Sequence, residues 1–276
     1  MVEVIDAHTH VVSQDVVRYP VTPGVGEEQA WHREHAVDTE GLLALADAAG
    51  VRGLALVQAL SCHGYDSRYV LDSARAHPGR AVAIGAVRPD DPSARTALRH
   101  DVLDGGARGV RLFAVGGATA PLDHPGVSAI AATAADLDIP VVVLTVAAQL
   151  PLVLALADAS PAVRFVLDHC GFADLGGDES FPHADALFAL ADSPNLHLKV
   201  SSMTLRATAH PEVLWSTLVA LFGSERLMWG SDYPHTHEPS YAALVEFALE
   251  TTSGLSEVAR ADVLAGTARR LWPEFK

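Results

Sequence analysis

Val4-Ile5-Asp6-Ala7-His8-Thr9-His10 is an apolar, β-prone run that ends in two histidines one residue apart. A strand turns alternate side chains to the same face, so His8 and His10 are expected to converge at its C-terminal end. Two imidazoles meeting there make half of a metal site or half of an acid–base site. With 14 histidines in 276 residues a chance pair is less rare than usual, so the decision rests on what the other strands end in.

Outward from this run the same unit recurs: a short β-branched stretch, an Ala/Leu-rich amphipathic stretch, then Gly or Pro. Strands are predicted at Val2–His10, Gly53–Ala59, Ala81–Val87, Gly109–Ala114, Pro140–Val146, Arg164–His169, Asn195–Ser201 and Arg226–Asp232. Helical patterns lie between them, at Thr39–Ala49, Asp66–His77, Pro92–Asp104, Pro125–Asp138, Leu150–Ala159, Ala184–Ala191, Glu212–Phe222 and Tyr241–Thr252, and Ser256–Leu271 closes the chain. Such alternation implies parallel strands joined by right-handed crossovers. Val141-Val142-Val143-Leu144 is apolar on both faces, as a strand in a covered parallel sheet must be. Eight units of roughly 30 residues predict an α/β fold, a (β/α)8 TIM barrel. A doubly wound open sheet would carry a Gly-rich loop after its first strand, where this chain has His-x-His. No linker or low-complexity tract interrupts the rhythm, so residues 1–276 are read as a single domain.

Composition excludes several functions. A formal charge of −15 argues against nucleic acid and anionic membranes, both of which need Lys and Arg. The longest apolar run, Ile139–Ala148, is strand-sized and too short to span a bilayer. The chain opens on a strand with no charged-then-apolar leader, so a cytoplasmic location is expected. Cys62 and Cys170 are too few for a disulfide framework and are read as buried small residues. A small-molecule substrate remains, and a homo-oligomer stays open.

A TIM barrel places its chemistry at the C-terminal ends of its strands. There strand one offers His8 and His10, strand six Asp168 and His169, and strand eight Asp232 followed by Tyr233-Pro234-His235. Strand four carries Arg108 and Arg111, whose opposite parity lets only one face the interior. Strand seven carries Lys199 and ends at Ser201 and Ser202. Three histidines and an aspartate at one rim would be costly to bury unsatisfied, which favours a working site. Asp6 shares the alternation of His8 and His10 and is expected either to orient them or to pair with Lys199.

At these residues the chain resembles the amidohydrolase superfamily, and in particular its 2-pyrone-4,6-dicarboxylate lactonase-like branch, which includes sugar lactonases. The stretches that carry the likeness are Asp6–His10, Leu56-Val57-Gln58, Arg108–Leu112, Val166–Gly171 and Trp229-Gly230-Ser231-Asp232-Tyr233-Pro234-His235. Two departures matter. Strand four lacks the lysine that bridges two metals in many members, and strand five ends in Thr145-Val146-Ala147, without their histidine ligand. The resemblance therefore leaves metal-free chemistry and one divalent ion, zinc above others, both open. His8, His10 and Asp232 would be the ligands, with His169 nearby.

The expected reaction is the opening of a lactone by water. Asp232 is the candidate general base, and His8, His10 and His169 would polarise the carbonyl. Arg111 stands where the resemblance implies a substrate carboxylate is bound, and its planar fork suits that task. Arg206, Ser201, Ser202, Tyr233 and His63 are further candidates for substrate contact. Val11–Val37 is a long connection without strong periodicity, read as a lid with Trp31 as an apolar wall, or alternatively as a subunit contact. His77, His100, His124, His183, His210 and His237 are read as surface or capping residues. The competing functions are a mononuclear zinc amidohydrolase or decarboxylase acting on a small carboxylic acid, and a non-catalytic ligand-binding barrel.

Overall fold

The computed structural model describes residues 2–22, 30–117, 119–238 and 240–276. Eight parallel strands, β1 (Val4–Thr9), β2 (Val51–Val57), β3 (Ala81–Ala86), β4 (Val110–Ala114), β5 (Val141–Thr145), β6 (Phe165–Leu167), β7 (Leu196–Ser201) and β8 (Leu227–Gly230), pair in chain order. The ring closes between its ends: the Asp232 amide donates to the His8 carbonyl at 2.8 Å, and the His10 amide to the Tyr233 carbonyl at 2.8 Å. A side chain at residue 230 would prevent this, because a Cβ on Gly230 would lie 2.7 Å from His8 Cβ. The fold is a (β/α)8 TIM barrel, as the βα rhythm predicts.

Local sequence explains the intervening helices. Thr39–Ala48 starts where the Asp38 carboxylate accepts from the Gly41 amide, and Tyr241–Thr251 where Ser240 accepts from the Ala243 amide. Pro125, Pro151 and Pro211 occupy first-turn positions, where a missing N–H costs nothing. Outward strand residues such as Leu56, Leu112, Val143 and Trp229 pack against helix residues such as Leu42, Ile130 and Leu214. A second cluster fills the lower interior, where Ile5, Val82, Val142, Val166 and Met228 meet Trp272 and Phe275 of the C-terminal tail.

Three elements depart from expectation. The Ala184–Ala191 pattern forms a single turn, Asp185–Phe188, and then a 3-10 turn, Ala189–Asp192. The closing helix carries a π-turn at Asp262–Gly266, between Glu257–Ala261 and Thr267–Leu271. β6 stops at Leu167, because the chain then turns through left-handed backbone at His169, Cys170, Gly171 and Phe172.

Candidate active site

The rim residues of β1, β6 and β8 gather at one point. Asp232 Oδ1 lies 3.5 Å from His8 Nε2, 3.4 Å from His10 Nε2 and 3.9 Å from His169 Nε2. The two Nε2 atoms of His8 and His10 are 3.2 Å apart. All four side chains are buried. Two of them depend on uncommon backbone: His169 has φ 53° and Asp232 φ 63°, a region that costs an ordinary residue about 1–2 kcal/mol. Strain held at two of four converging groups points to function.

Hydrogen-bond partners fix the imidazole tautomers. His10 Nδ1–H donates to the Val57 carbonyl at 2.8 Å. His8 Nδ1 lies 3.1 Å from Asp168 Oδ1 and 3.3 Å from Lys199 Nζ. With Nδ1–H donated to Asp168, both Nε2 atoms are lone pairs that face each other and a carboxylate oxygen. Three acceptors around one point require a cation or a shared proton. A ring N–H anchored on a carboxylate or carbonyl is also how metal-binding histidines are oriented. The ligand atoms of His8, His10 and Asp232 all lie within 4.8 Å of one another, close enough to hold one divalent metal ion. His8, Asp168 and His169 form a second such group, but Asp168 is occupied by other cations.

Those cations are Lys199 and Arg111. Asp168 Oδ1 accepts from Lys199 Nζ at 3.1 Å, and Oδ2 from Arg111 Nε at 2.7 Å. Sequence alternation offered Asp6 either as an orienter of His8 and His10 or as the partner of Lys199. In the structure a register irregularity between Asp6 and Thr9 breaks the alternation of β1. Asp6 instead accepts from the Ser231 amide at 2.8 Å and from the Tyr241 hydroxyl at 3.2 Å, in the helix layer, so the pairing with Lys199 is corrected to Asp168. Asp6 also accepts from the His8 amide at 3.1 Å and so ties β1 to β8 beneath the site. Of the two arginines, Arg111 faces the interior and Arg108 pairs with Glu274 at the opposite mouth.

Burial and charge set the protonation pattern. Burial pushes the imidazoles of His8, His10 and His169 down, against the pull of Asp168 on His8 and of Asp232 on the other two. Burial pushes Asp232 up, but His169, His10 and His235 together hold it well below the carboxylate range. Asp168 is likewise held well below that range by Lys199, His8 and Arg111. Burial drives the thiols of Cys62 and Cys170 up to about 12, so neither is a nucleophile at neutral pH.

The remaining candidates lie at different distances from this cluster. Ser201 contacts His169 Nδ1 at 2.9 Å and caps the short helix Ser202–Arg206. Ser202 is buried beside it. Arg206 is exposed and donates to the Glu238 carbonyl at 2.6 Å. His63 turns its Nδ1 to the Pro20 carbonyl, and Tyr233 packs on Tyr241. Trp31 lies 5.6 Å from the His10 ring and 5.8 Å from the His235 ring, between ring centroids. The rest of the expected lid includes residues 23–29, which lie outside the described residues. Two residues had been quoted in the sequence without a role. Asp168 anchors His8, and His235 holds Asp232 Oδ2 at 3.0 Å. The signal for Asp168 was available: a buried lysine on β7 needs an acid of inward parity, and β6 supplies one.

A cavity of about 290 Å³ opens over the cluster, lined among others by His10, Arg111, His169, Asp232 and Trp31. This is the small end of ligand sites and suits a single-ring molecule. A histidine–aspartate cluster at the C-terminal mouth of a TIM barrel can hold one metal ion or serve acid–base chemistry.

Comparison with known proteins agrees. The amidohydrolase family model matches residues 5–273, and the chain belongs to that family and is a hydrolase. It is 30% identical over 283 residues to L-fucono-1,5-lactonase of Burkholderia ambifaria, covering 96% of this chain and 93% of that protein. It is 27% identical over 287 residues to 2-pyrone-4,6-dicarboxylate hydrolase of Comamonas testosteroni, covering 98% and 90%. Among solved structures, a zinc-bound amidohydrolase from Burkholderia multivorans superposes with a TM-score of 0.78 at 26% identity, covering 98% of this chain and 99% of that one. Among the described residues, no helix is long and apolar enough to cross a membrane.

Proposed function

We infer that this chain opens a small lactone by hydrolysis, using the pocket over His8, His10, His169 and Asp232. The observation that carries the reading is the convergence of these four groups on one point of a cavity that also contains Arg111. The lactone substrate is taken from the two curated relatives, which match nearly the whole chain. Zinc suits the nitrogen-rich ligand set of His8, His10 and Asp232. When bound, it would supply Lewis-acid polarisation of the carbonyl and a more acidic water.

The chain's own groups then have separate tasks. Asp232 takes a proton from the attacking water, whose oxygen bonds to the lactone carbonyl carbon. The ring C–O bond breaks, and the proton passes to the departing alkoxide to give a hydroxy acid. His169, braced by Ser201, donates to the oxygen on which charge develops. Arg111 is held by Asp168 through Nε, which leaves the far end of its fork to orient a substrate oxygen. Trp31 keeps water from the face of the site opposite the strands.

The test is a panel of lactones assayed with zinc-loaded and metal-stripped protein, alongside metal analysis. Turnover should require zinc, at about one ion per chain. Asp232→Asn should lower kcat by about 10³-fold with the fold retained by circular dichroism. Full turnover by stripped protein would remove the zinc assignment. Absence of turnover on every lactone would remove the lactonase reading.

A further inference from the structure

The cavity has two unlike sides. Its floor is polar: His10, His169, Asp232 and Arg111. Its wall is built from Trp31, Phe113, Leu144, Val146, Phe172 and Met203, which come from five of the eight strand–loop units. Among the described lining residues, the polar groups beyond the floor are the Ser61 hydroxyl, the Trp31 indole N–H and His235, and His235 is engaged by Asp232.

Ser61 lines the pocket, but the hydroxyls that sequence reading offered to a sugar ring are turned elsewhere. Ser201 is spent on His169 and Thr204, and Tyr233 packs on Tyr241 behind the site. Arg111 is the one lysine or arginine among the described lining residues, and its Nε is already committed to Asp168. Among the described lining side chains, a second substrate carboxylate would meet no second lysine or arginine.

Phe172 is a separate indication. It is 42% exposed, an unusual setting for so large an apolar side chain. Its backbone is left-handed, with φ 51°, and its ring stacks on His169 with 5.3 Å between centroids. The left-handed backbone thus holds an aromatic ring beside the reaction centre, one part covered by His169 and the rest open to an apolar ligand group.

We propose that the substrate is a single-ring lactone carrying an alkyl or aryl substituent, its carbonyl over the histidine cluster and its substituent against this wall. The inference rests on the lactone-opening reading above. It separates this chain from a sugar lactonase and from a dicarboxylate hydrolase. Each hydroxyl buried unpaired against the wall would cost about tenfold in binding. Each buried methylene should gain about fourfold.

The experiment measures kcat/KM for δ-lactones substituted with hydrogen, methyl, propyl or pentyl, beside a sugar δ-lactone and a pyrone dicarboxylate. The expected result is a rise of about fourfold per methylene until the cavity is full, with the pentyl compound well above both polar substrates. Phe172→Asn tolerates the left-handed backbone and should flatten that slope. Lactone turnover with a flat slope, or with the sugar or dicarboxylate preferred, overturns the inference and leaves the lactonase reading standing. If no lactone is turned over, the lactonase reading falls, and binding of the matching alkyl lactams decides the inference by calorimetry. Affinity that climbs with chain length supports it, and affinity independent of chain length overturns it.

Discussion

The two ends of this barrel are filled by the same strands in opposite ways. β6 places Val166 in the lower interior, and Asp168, just past its end, lies in the upper; β4 places Arg111 and then Phe113 at the upper end. The lower end is apolar, and the C-terminal tail plugs it with Trp272 and Phe275. The upper end buries Lys199, Arg111, Asp168 and His8, none more than 4% exposed. The comparison teaches that the fold needs only one end to be oily. The other can hold charges, on condition that each has a partner.

The largest expected effect breaks that condition. Asp168→Ala leaves Lys199 and Arg111 buried without a counter-charge, and should cost about 4–5 kcal/mol in urea denaturation. Adding Lys199→Met should recover a good part of the loss, a coupling that two independent contacts would not give.

At the lower end the rule is packing. Trp272→Ala opens a cavity under the barrel and should cost about 3–4 kcal/mol. Its effect on kcat/KM should stay within about threefold, because the charged layer lies between it and the substrate. A large loss of activity at unchanged stability would show that the two ends are coupled.

The smallest effect is a pH dependence at the lower end. Burial pushes His197 down to about 4 from an ordinary value near 6.5, with its Nδ1–H donated to the Phe165 carbonyl. The unfolded chain therefore binds the proton first. The contribution is whole above pH 6.5 and is lost as pH falls toward 4. Its size is about 2 kcal/mol after allowance for partial solvent access. His197→Gln should reduce this acid sensitivity, read as the difference in urea midpoint between pH 7 and about pH 4.5.

The barrel was legible because its signals are local. Val141–Thr145 is apolar on both faces wherever it is placed, and Pro or Gly punctuates each unit. The proposed site drew its members from the ends of the predicted strands, and the structure brings His8, His10, His169 and Asp232 together. Its wiring was not legible. Alternation left Asp6 either to orient His8 and His10 or to pair with Lys199, and a register irregularity within β1, invisible in the residue types, turned Asp6 to the helix layer. Nor does any residue type announce the left-handed backbone at His169 and Asp232, because neither is glycine. Strands carry periodicity; the irregular turns that aim the reactive groups follow from packing of segments distant in sequence.

Gly230 brings none of the reagents, yet it sets their spacing. Its bare Cα lets the last strand press against the first at His8. An added methyl would wedge open the seam where the first and last strands meet and carry Asp232 away from the imidazoles. The proposed catalytic assembly is thus only as tight as a joint made by an atom of hydrogen.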